Sequence, residues 1–275
     1  MKKYFIIILI LGIFGGMIFM PKKFSRNEAV IFQIEKGESL REISVNLEKE
    51  GLIWWNPFFR IYSFLRGRDN NLQAGCYRFS SAMNIPEISG IFELGLIAKE
   101  KITIPEGFTS EQIQQVLKNV TQLDSATLAE HEGYLFPDTY EIPYCMEQEK
   151  VVEIMTENFS KKTIGFKITP EAVVMASLLE KELITKEDKK IASGILWKRL
   201  RVGMPLQVDV YLWTYENYGL PEKPISNPGL ESIEAALNPK ESPYFYYLST
   251  PEGKTIFSRT LDEHNLARAK YLTGK

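Results

Sequence analysis

The sequence predicts an α+β protein in three regions: an N-terminal transmembrane helix and linker over residues 1–27, a small α+β region over 28–100, and a mixed α/β region over 101–275. Three observations support this prediction. Residues 4–20 form an uncharged apolar run, strand and helix patterns alternate after it, and longer helical patterns dominate from Thr169 onward.

The composition is typical of a folded protein and excludes several functional classes. The chain has 275 residues, of which 44% are hydrophobic and 25% are charged, close to globular averages. Its net charge of -2 leaves no basic excess for binding nucleic acid. Cys76 and Cys145 have no cysteine or histidine nearby at metal-ligand spacing, so the sequence predicts no metal site and leaves a single disulfide open. No nucleotide-binding motif occurs, and no cofactor is predicted.

The apolar run over residues 4–20 is predicted to be an uncleaved membrane anchor. As a helix it is slightly shorter than the roughly 30 Å hydrocarbon core, a difference that Tyr4 and the flanking lysines can absorb. A cleaved signal peptide is the alternative, but the run is long for one and no A-x-A-like site follows it. Lysines flank both ends and orient the helix weakly, and we expect the C-terminal body to face outward.

Strands followed by helices are predicted in the region 28–100. The run 30–34, closed by Gly37, predicts a strand, and the apolar spacing after Ser39 predicts a helix. The further predicted elements are a helix over 57–65, a strand over 75–79 and a helix over 85–94.

The strand-glycine-helix pattern then occurs a second time, over residues 101–120. A strand ending at Gly107 precedes a helix that begins after Thr109, as the strand ending at Gly37 precedes the helix after Ser39. Two copies predict a small α+β layer, because a solenoid needs three or more repeats.

Longer helices are predicted beyond residue 168. Thr169 as N-cap and Pro170 at the first helical position begin a helix over 169–184, and a second follows over 186–200. Proline and glycine are dense over 204–243, which predicts long ordered loops of the kind that often carry function. The remaining predicted elements are a hairpin over 244–248 and 255–257 and a closing helix over 261–272.

Glu180 is the first candidate for catalysis. In the helix 169–184 it belongs to an apolar stripe at helical spacing, formed by Val173, Ala176, Ser177, Leu183 and Ile184. Burial raises the pKa of a carboxyl group, which suits a general acid near neutral pH. The alternative is a surface carboxylate, because Lys181 and Glu182 are its neighbours and the helix rotation is uncertain by one residue.

Polar residues in the loops are weaker candidates. Glu132 and Asp138 lie in an acidic, aromatic segment that could bind a sugar by stacking and hydrogen bonding, or could equally be a tight turn with core aromatics. His131 and His264 have no partner at metal spacing and are expected to bond locally. The loop residues that could contact a substrate or satisfy the loop backbone are Gln207, Asp209 and Asn227.

Five segments, in order along the chain, resemble the signatures of the endolytic murein transglycosylases, the YceG-like family. Residues 175–182 resemble A-S-x-x-E-K-E, and residues 132–140 resemble E-G-x-L-x-P-D-T-Y. The other matching segments are 199–209, 214–229 and 235–239, followed by Phe257-Ser258 and Glu263-His264-Asn265. The region before residue 101 is similar to the family's membrane span and LysM-like part.

The resemblance implies a lytic transglycosylase of peptidoglycan. Such an enzyme cleaves the bond between N-acetylmuramic acid (MurNAc) and N-acetylglucosamine (GlcNAc) within glycan strands and leaves 1,6-anhydro-MurNAc ends, which could terminate strand elongation. Glu180 would act first as acid and then as base, and Glu180→Gln is expected to keep the fold and abolish cleavage. The substrate-binding or supporting positions that the motifs imply are Glu132, Asp138, Tyr140, Ser177, Gln207, Asp209, Tyr215, Asn227 and Asn265.

The resemblance also implies a location and partners. The protein is expected in the cytoplasmic membrane as a single-pass protein with its catalytic region outward, in contact with peptidoglycan strands and with peptidoglycan synthases as candidate partners. One departure from the family is a shorter loop after Asp209, with Trp213 where the family usually has asparagine. The shorter loop affects the expected preference for substrate length more than the assignment of the catalytic acid.

Two alternative functions stay open. Glu182 or Asp209 could be a second carboxyl, which would make the protein a hydrolysing muramidase. A catalytically silent, membrane-anchored scaffold that binds glycan is the other alternative. Glu180 discriminates between enzyme and scaffold, because a scaffold has no need of an acid on an apolar helix face.

Overall fold

The computed structural model describes Gly12 and residues 15–22, 29–67 and 72–272. Its described part contains eleven named helices and six strands, with the strands in three two-stranded sheets, which confirms the predicted α+β class. Most of the predicted anchor lies outside the described residues. Within the described ranges, we find no helix that combines the length and the apolar character needed to cross a bilayer.

The chain forms two compact units. Unit 1 comprises the described residues up to Glu100 together with Glu141–Met146, and unit 2 comprises Lys101–Tyr140 and the described residues from Glu147 onward. Two strands, β3 (Lys99–Thr103) and β4 (Thr139–Pro143), pair with each other, and the division between the units falls within both of them.

Unit 1 is built around one antiparallel strand pair. Its other elements are β1 (Ala29–Ile34), α1 (Leu40–Lys49), α2 (Asn56–Leu65), β2 (Gly75–Ser80) and α3 (Ile85–Glu93). Strands β1 and β2 pair along their whole length. The core is aromatic: Tyr77 and Phe79 of β2 contact Phe92 of α3 edge-on, with ring centres 4.8 and 5.1 Å apart. This geometry adds to the burial energy of the rings.

A disulfide bond, which the sequence left open, joins Cys76 of β2 to Cys145, with their Cα atoms 6.0 Å apart. Next to it, the Arg78 guanidinium lies 5.2 Å from the centre of the Tyr144 ring and 2.7 Å from the Glu100 carboxylate. The bond and these contacts hold Glu141–Met146 within unit 1.

Unit 2 is mostly helical. Its elements are α4 (Ser110–Leu117), α5 (Ser125–Ala129), α6 (Gln148–Lys162), α7 (Pro170–Glu182), α8 (Lys186–Arg201), α9 (Trp213–Glu216), α10 (Leu230–Leu237), β5 (Tyr246–Ser249), β6 (Thr255–Ser258) and α11 (Leu261–Tyr271). Helix α7 lies in the core, and α8 and α10 pack against it. The predicted N-cap is confirmed, since the Thr169 side chain accepts a hydrogen bond from the Ala172 N–H.

Two features of unit 2 differ from the sequence prediction. Residues 172–179 of α7 are buried on every side of the helix, so the buried surface is wider than the predicted apolar stripe. The helix ends at Glu182 because Leu183 is extended, and Ile184 is exposed. The second difference is α10, which lies in the stretch predicted as loops. Its eight residues are stabilised by packing on α7 and α8, which local sequence patterns do not reveal.

Candidate active site

A cavity of about 220 Å³ in unit 2 brings four of the predicted positions together. Its walls come from the end of α7, the loop between α8 and α9, strand β5 and helix α11. The predicted residues on these walls are Gln207, Asp209, Tyr215 and Asn265. Glu182, the last residue of α7, lines the same cavity.

Glu182 is a partly buried carboxyl group with a raised pKa. Burial raises the pKa of its carboxyl group, and the charge of Asp209 raises it further. The Val210 N–H donates a hydrogen bond of 3.0 Å to its Oε1, which opposes the rise and fixes the orientation of the carboxyl. A carboxyl held in a cavity with a raised pKa is able to carry a proton at a higher pH than an exposed one.

Asp209 and Tyr215 form a hydrogen-bonded pair beside Glu182. The Tyr215 hydroxyl donates to Asp209 Oδ1. Burial, together with Asp209, raises the pKa of Tyr215 to about 12, so the phenol stays protonated and remains a donor. The pair places the Asp209 carboxyl group in the cavity with Glu182.

The loop that carries Gln207 and Asp209 is held in a strained shape. Gln207 has φ +51°, a left-handed conformation that is uncommon outside glycine. The buried Arg199 guanidinium donates to the Leu206 carbonyl at 2.7 Å and to the Phe245 carbonyl at 2.8 Å. The Thr214 hydroxyl donates to the Val208 carbonyl and accepts from the Val208 N–H. These bonds position the loop against the cavity.

Glu180 is not among the residues that line the cavity, and its contacts are different. Lys189 Nζ is 2.9 Å from Glu180 Oε1, and the two side chains are only 3% and 8% exposed, respectively. The Gly229 N–H and the Ser232 hydroxyl each donate to Glu180 Oε2 at 2.8 Å. Both carboxylate oxygens are therefore bonded to donors that join α7, α8 and α10.

Glu106, which sequence reasoning missed, is next to this ion pair. A Cβ added at Gly229 would lie 1.9 Å from Glu106 Oε1, so a larger residue at position 229 would require the Glu106 side chain to move. Partial burial and the charge of Glu180 raise the pKa of Glu106, while Lys189 opposes the rise. Its position directly before Gly107, in the second strand-glycine-helix unit, is the only sequence signal that singles it out.

Asn227 and Glu132 act as a framework for three loops. Asn227 is fully buried, its Oδ1 accepts from the Gly133 and Leu135 N–H groups, and its Nδ2 donates to the Phe108 carbonyl. Asn227 Nδ2 also lies 2.7 Å from Glu132 Oε1. Neither Asn227 nor Glu132 lines the cavity. The hydrogen bonds of Asn227 described above connect the loops around Phe108, Gly133 and Asn227 itself.

Three further predicted positions also have partners within the protein. Lys162 and Asn158 bind the Asp138 carboxylate and lower its pKa. The Tyr140 hydroxyl donates to the Phe136 carbonyl, and burial raises the pKa of Tyr140 to about 12. The Ser177 hydroxyl donates to the Val174 carbonyl and accepts from the Ile225 N–H. The prediction that the segment around Glu132 and Asp138 binds sugar stays a prediction.

His264, expected to bond locally, lines the cavity beside Asn265. Its ring lies 5.4 Å from that of Tyr246, nearly parallel to it. Burial and the charges of Arg268 and Arg199 lower the pKa of His264, which favours the neutral imidazole. Across the described ranges, no group of three or more His, Cys, Asp or Glu side chains could hold a metal ion.

Comparison with known proteins agrees with the motifs. A model of the YceG-like family matches residues 32–212 and 213–270. An endolytic murein transglycosylase of Bacillus subtilis (strain 168) is 27% identical over 97% of this chain and 92% of its own length. One of Streptococcus pneumoniae is 24% identical over 93% of this chain, which spans 61% of that longer protein.

A solved structure is also similar. The crystal structure of a YceG-like protein from Listeria monocytogenes is 28% identical, with a TM-score of 0.52 over 87% of this chain and 99% of that one. Because the family model covers most of the described residues, including every residue that lines the cavity except Leu272, the chain belongs to the YceG-like family.

Proposed function

We propose that this protein is a lytic transglycosylase that cleaves peptidoglycan strands between MurNAc and GlcNAc. The observation that carries the proposal is one cavity lined by Glu182 with Gln207, Asp209, Tyr215 and Asn265. Its relatives in B. subtilis and S. pneumoniae are endolytic murein transglycosylases.

Glu182 is the acid that the geometry supports best. It lines the cavity with a raised pKa, whereas both oxygens of Glu180 are bonded to Lys189, Gly229 and Ser232. These charge-assisted bonds stabilise a carboxylate that holds helices together. The assignment of the acid to Glu180 stays a prediction. The experiment below distinguishes which of the two carboxyl groups is the acid.

The reaction needs one carboxyl that works in both directions. Protonated Glu182 gives its proton to the glycosidic oxygen as the bond from that oxygen to C1 of MurNAc breaks. The resulting carboxylate then takes the proton from the C6 hydroxyl of the same MurNAc, whose oxygen bonds to C1. The products are a free GlcNAc hydroxyl and a 1,6-anhydro-MurNAc end, and Glu182 is protonated again.

The experiment compares purified peptidoglycan after incubation with the wild type, Glu182→Gln and Glu180→Gln. Mass spectrometry of the glycan ends is expected to find anhydro-MurNAc ends from the wild type and none from Glu182→Gln. Circular dichroism of each variant separates loss of chemistry from loss of folding. Full anhydro-product formation by Glu182→Gln, with none from a folded Glu180→Gln, would return the acid to Glu180.

A two-carboxylate hydrolase is the second candidate, because Asp209 shares the cavity and its charge acts on Glu182. Reducing MurNAc ends from the wild type would favour it. No products from any of the three proteins would favour the glycan-binding scaffold.

We further infer that residues 4–20 anchor the protein in the cytoplasmic membrane with the described units outward. The uncharged apolar run and the Cys76–Cys145 bond support this inference, since disulfides persist in oxidising compartments outside the cytosol. Proteolysis of intact spheroplasts is expected to degrade both units, and protection of both would contradict the orientation. Contacts with peptidoglycan synthases stay a prediction.

A further inference from the structure

Helix α2 of unit 1 is apolar on two sides. One side, with Phe58 and Phe59, is buried in the core. The other side carries Ile61 and Phe64, with Leu65 at its edge, and Phe64 and Leu65 are 70% and 76% exposed. A surface helix normally presents polar residues to water, so an apolar outer side indicates a binding surface.

Two exposed tryptophans lie at the start of the helix, and the Trp55 ring meets the Phe58 ring edge-on, with ring centres 5.2 Å apart. Trp54 and Trp55 directly precede α2, and both are exposed. Tryptophan is enriched where proteins meet the boundary between lipid and water, because its ring is apolar and its N–H is polar. We call Trp54, Trp55, Ile61, Phe64 and Leu65 the α2 patch.

The chain itself brings the apolar N-terminal run to this helix. Met17 and Ile18, near the end of that run, pack against the core of unit 1. Glu48 accepts hydrogen bonds from the backbone and side chain of Asn56, the first residue of α2. These bonds lower the pKa of Glu48, and the nearby charge of Lys22 adds to the effect. Lys22, two residues after the end of the apolar run, therefore lies near the start of α2.

Two arginines lie in or next to α2, the helix that carries the patch. Arg60 is exposed on α2, and Arg66 follows its last residue, 3.8 Å from Glu93. Arginine and lysine beside an apolar, tryptophan-containing helix face match the charge of anionic lipid headgroups.

We propose that the α2 patch lies on the surface of the lipid bilayer in which the N-terminal run is anchored. The patch would hold unit 1 against the membrane. This inference rests on the anchor proposed above, and not on the catalytic activity.

The test uses the full-length chain in vesicles of phosphatidylglycerol and phosphatidylethanolamine, with and without bromine on the acyl chains. Bromine quenches tryptophan that touches lipid. We expect brominated lipid to reduce the emission of the wild type and to have much less effect on Trp54→Phe/Trp55→Phe, which keeps the two tryptophans of unit 2. Bromines near the headgroups should quench more than bromines near the chain ends.

A matched pair of variants separates the patch from general hydrophobicity. Phe64→Ser is expected to weaken the quenching, whereas Ile164→Ser, at a residue of unit 2 that is 78% exposed, is expected to leave it unchanged. Failure of the chain to float with vesicles would overturn the anchor and this proposal together. Flotation with equal quenching of the wild type and Trp54→Phe/Trp55→Phe would leave the anchor standing and overturn the docking of α2.

Discussion

Glu180 and Glu182 are two residues apart on α7, and their environments are opposite in kind. At 3.6 residues per turn, two positions apart means about 200° of rotation, so the two side chains leave the helix on nearly opposite sides. Glu180 meets Lys189 and two further donors, whereas Glu182 meets a cavity and the charge of Asp209. Both oxygens of Glu180 are therefore bonded to protein donors, whereas burial raises the pKa of Glu182.

The raised pKa of Glu182 predicts a pH dependence of stability. The folded protein keeps this proton to a higher pH than the unfolded chain does, so stability falls as the pH rises from the ordinary glutamate pKa through the raised one. Glu182→Gln, which removes the charge, should unfold at a higher temperature than the wild type above that window and at a similar temperature below it. Melting curves from pH 4 to 8 check this, with the exposed Glu130→Gln as control.

Equal melting temperatures of Glu182→Gln and the wild type at every pH would contradict the raised pKa. The same titration should appear in catalysis, since the proposed acid is active only when protonated. The cleavage rate is expected to fall as the pH rises through the raised pKa.

The ion pair between Glu180 and Lys189 predicts a large loss of stability when it is broken. Lys189→Met leaves a buried carboxylate without its counter-ion, at a cost of roughly 3–5 kcal/mol. Lys161→Met breaks the exposed pair with Glu157 and should cost less than about 1 kcal/mol. Urea unfolding measures both, and equal costs would show that the buried pair contributes no more than a surface pair.

Glu180→Gln is expected to lose stability for the same reason, because Lys189 is then left buried beside a neutral group. Conserved side-chain volume, the basis for expecting that Glu180→Gln preserves the fold, does not replace the charge that Lys189 loses. A loss of cleavage in Glu180→Gln therefore has to be compared with its melting temperature.

At the scale of elements, the contact between α8 and the chain after α10 limits one helical position. A Cβ at Gly194 of α8 would lie 2.1 Å from the Lys240 carbonyl oxygen, and the Lys240 N–H donates to the Lys190 carbonyl. The helix and this segment touch through backbone atoms, which only glycine allows.

Two glycine substitutions test this contact. Gly194→Ala should destabilise unit 2 by roughly 1–3 kcal/mol through overpacking. Gly90→Ala in α3, where nothing lies within 4 Å of the added atom, should stabilise unit 1 by roughly 0.5–1 kcal/mol through helix propensity. Chemical denaturation of both variants is the measurement, and stabilisation by Gly194→Ala would rule out the close approach.

At the scale of the whole molecule, the chain leaves unit 1 after Glu100 and returns to it for Glu141–Met146. The Cys76–Cys145 bond secures this return across a sequence separation of 69. A crosslink across such a span restricts the unfolded chain, because the ends of a long loop are otherwise far apart.

Removal of the disulfide is expected to destabilise unit 1. For a loop of this size, the entropic effect is about 4 kcal/mol as an upper guide. Cys76→Ala/Cys145→Ala should melt earlier than the wild type, and a reductant should lower the melting temperature of the wild type but not of the variant. A wild type that is insensitive to reductant, with both thiols free to react, would contradict the bond.

Much of the fold could be predicted from local signals. The Thr169 cap, the two strand-glycine-helix units and the closing hairpin and helix all depend on residues near each other in the chain. Helix α10 could not be predicted in this way, because it depends on packing against α7 and α8.

The sequence by itself determined the family and a set of candidate polar residues, since both depend on ordered short motifs. Only the tertiary structure decided which candidates share a cavity. Asn227 contacts Gly133, 94 positions away, and Gly229 contacts Glu180 across 49 positions. Because residues 172–179 of α7 are buried on every side, helical spacing could not distinguish the side that holds Glu180 from the side that holds Glu182. That distinction comes from the partners packed around the helix.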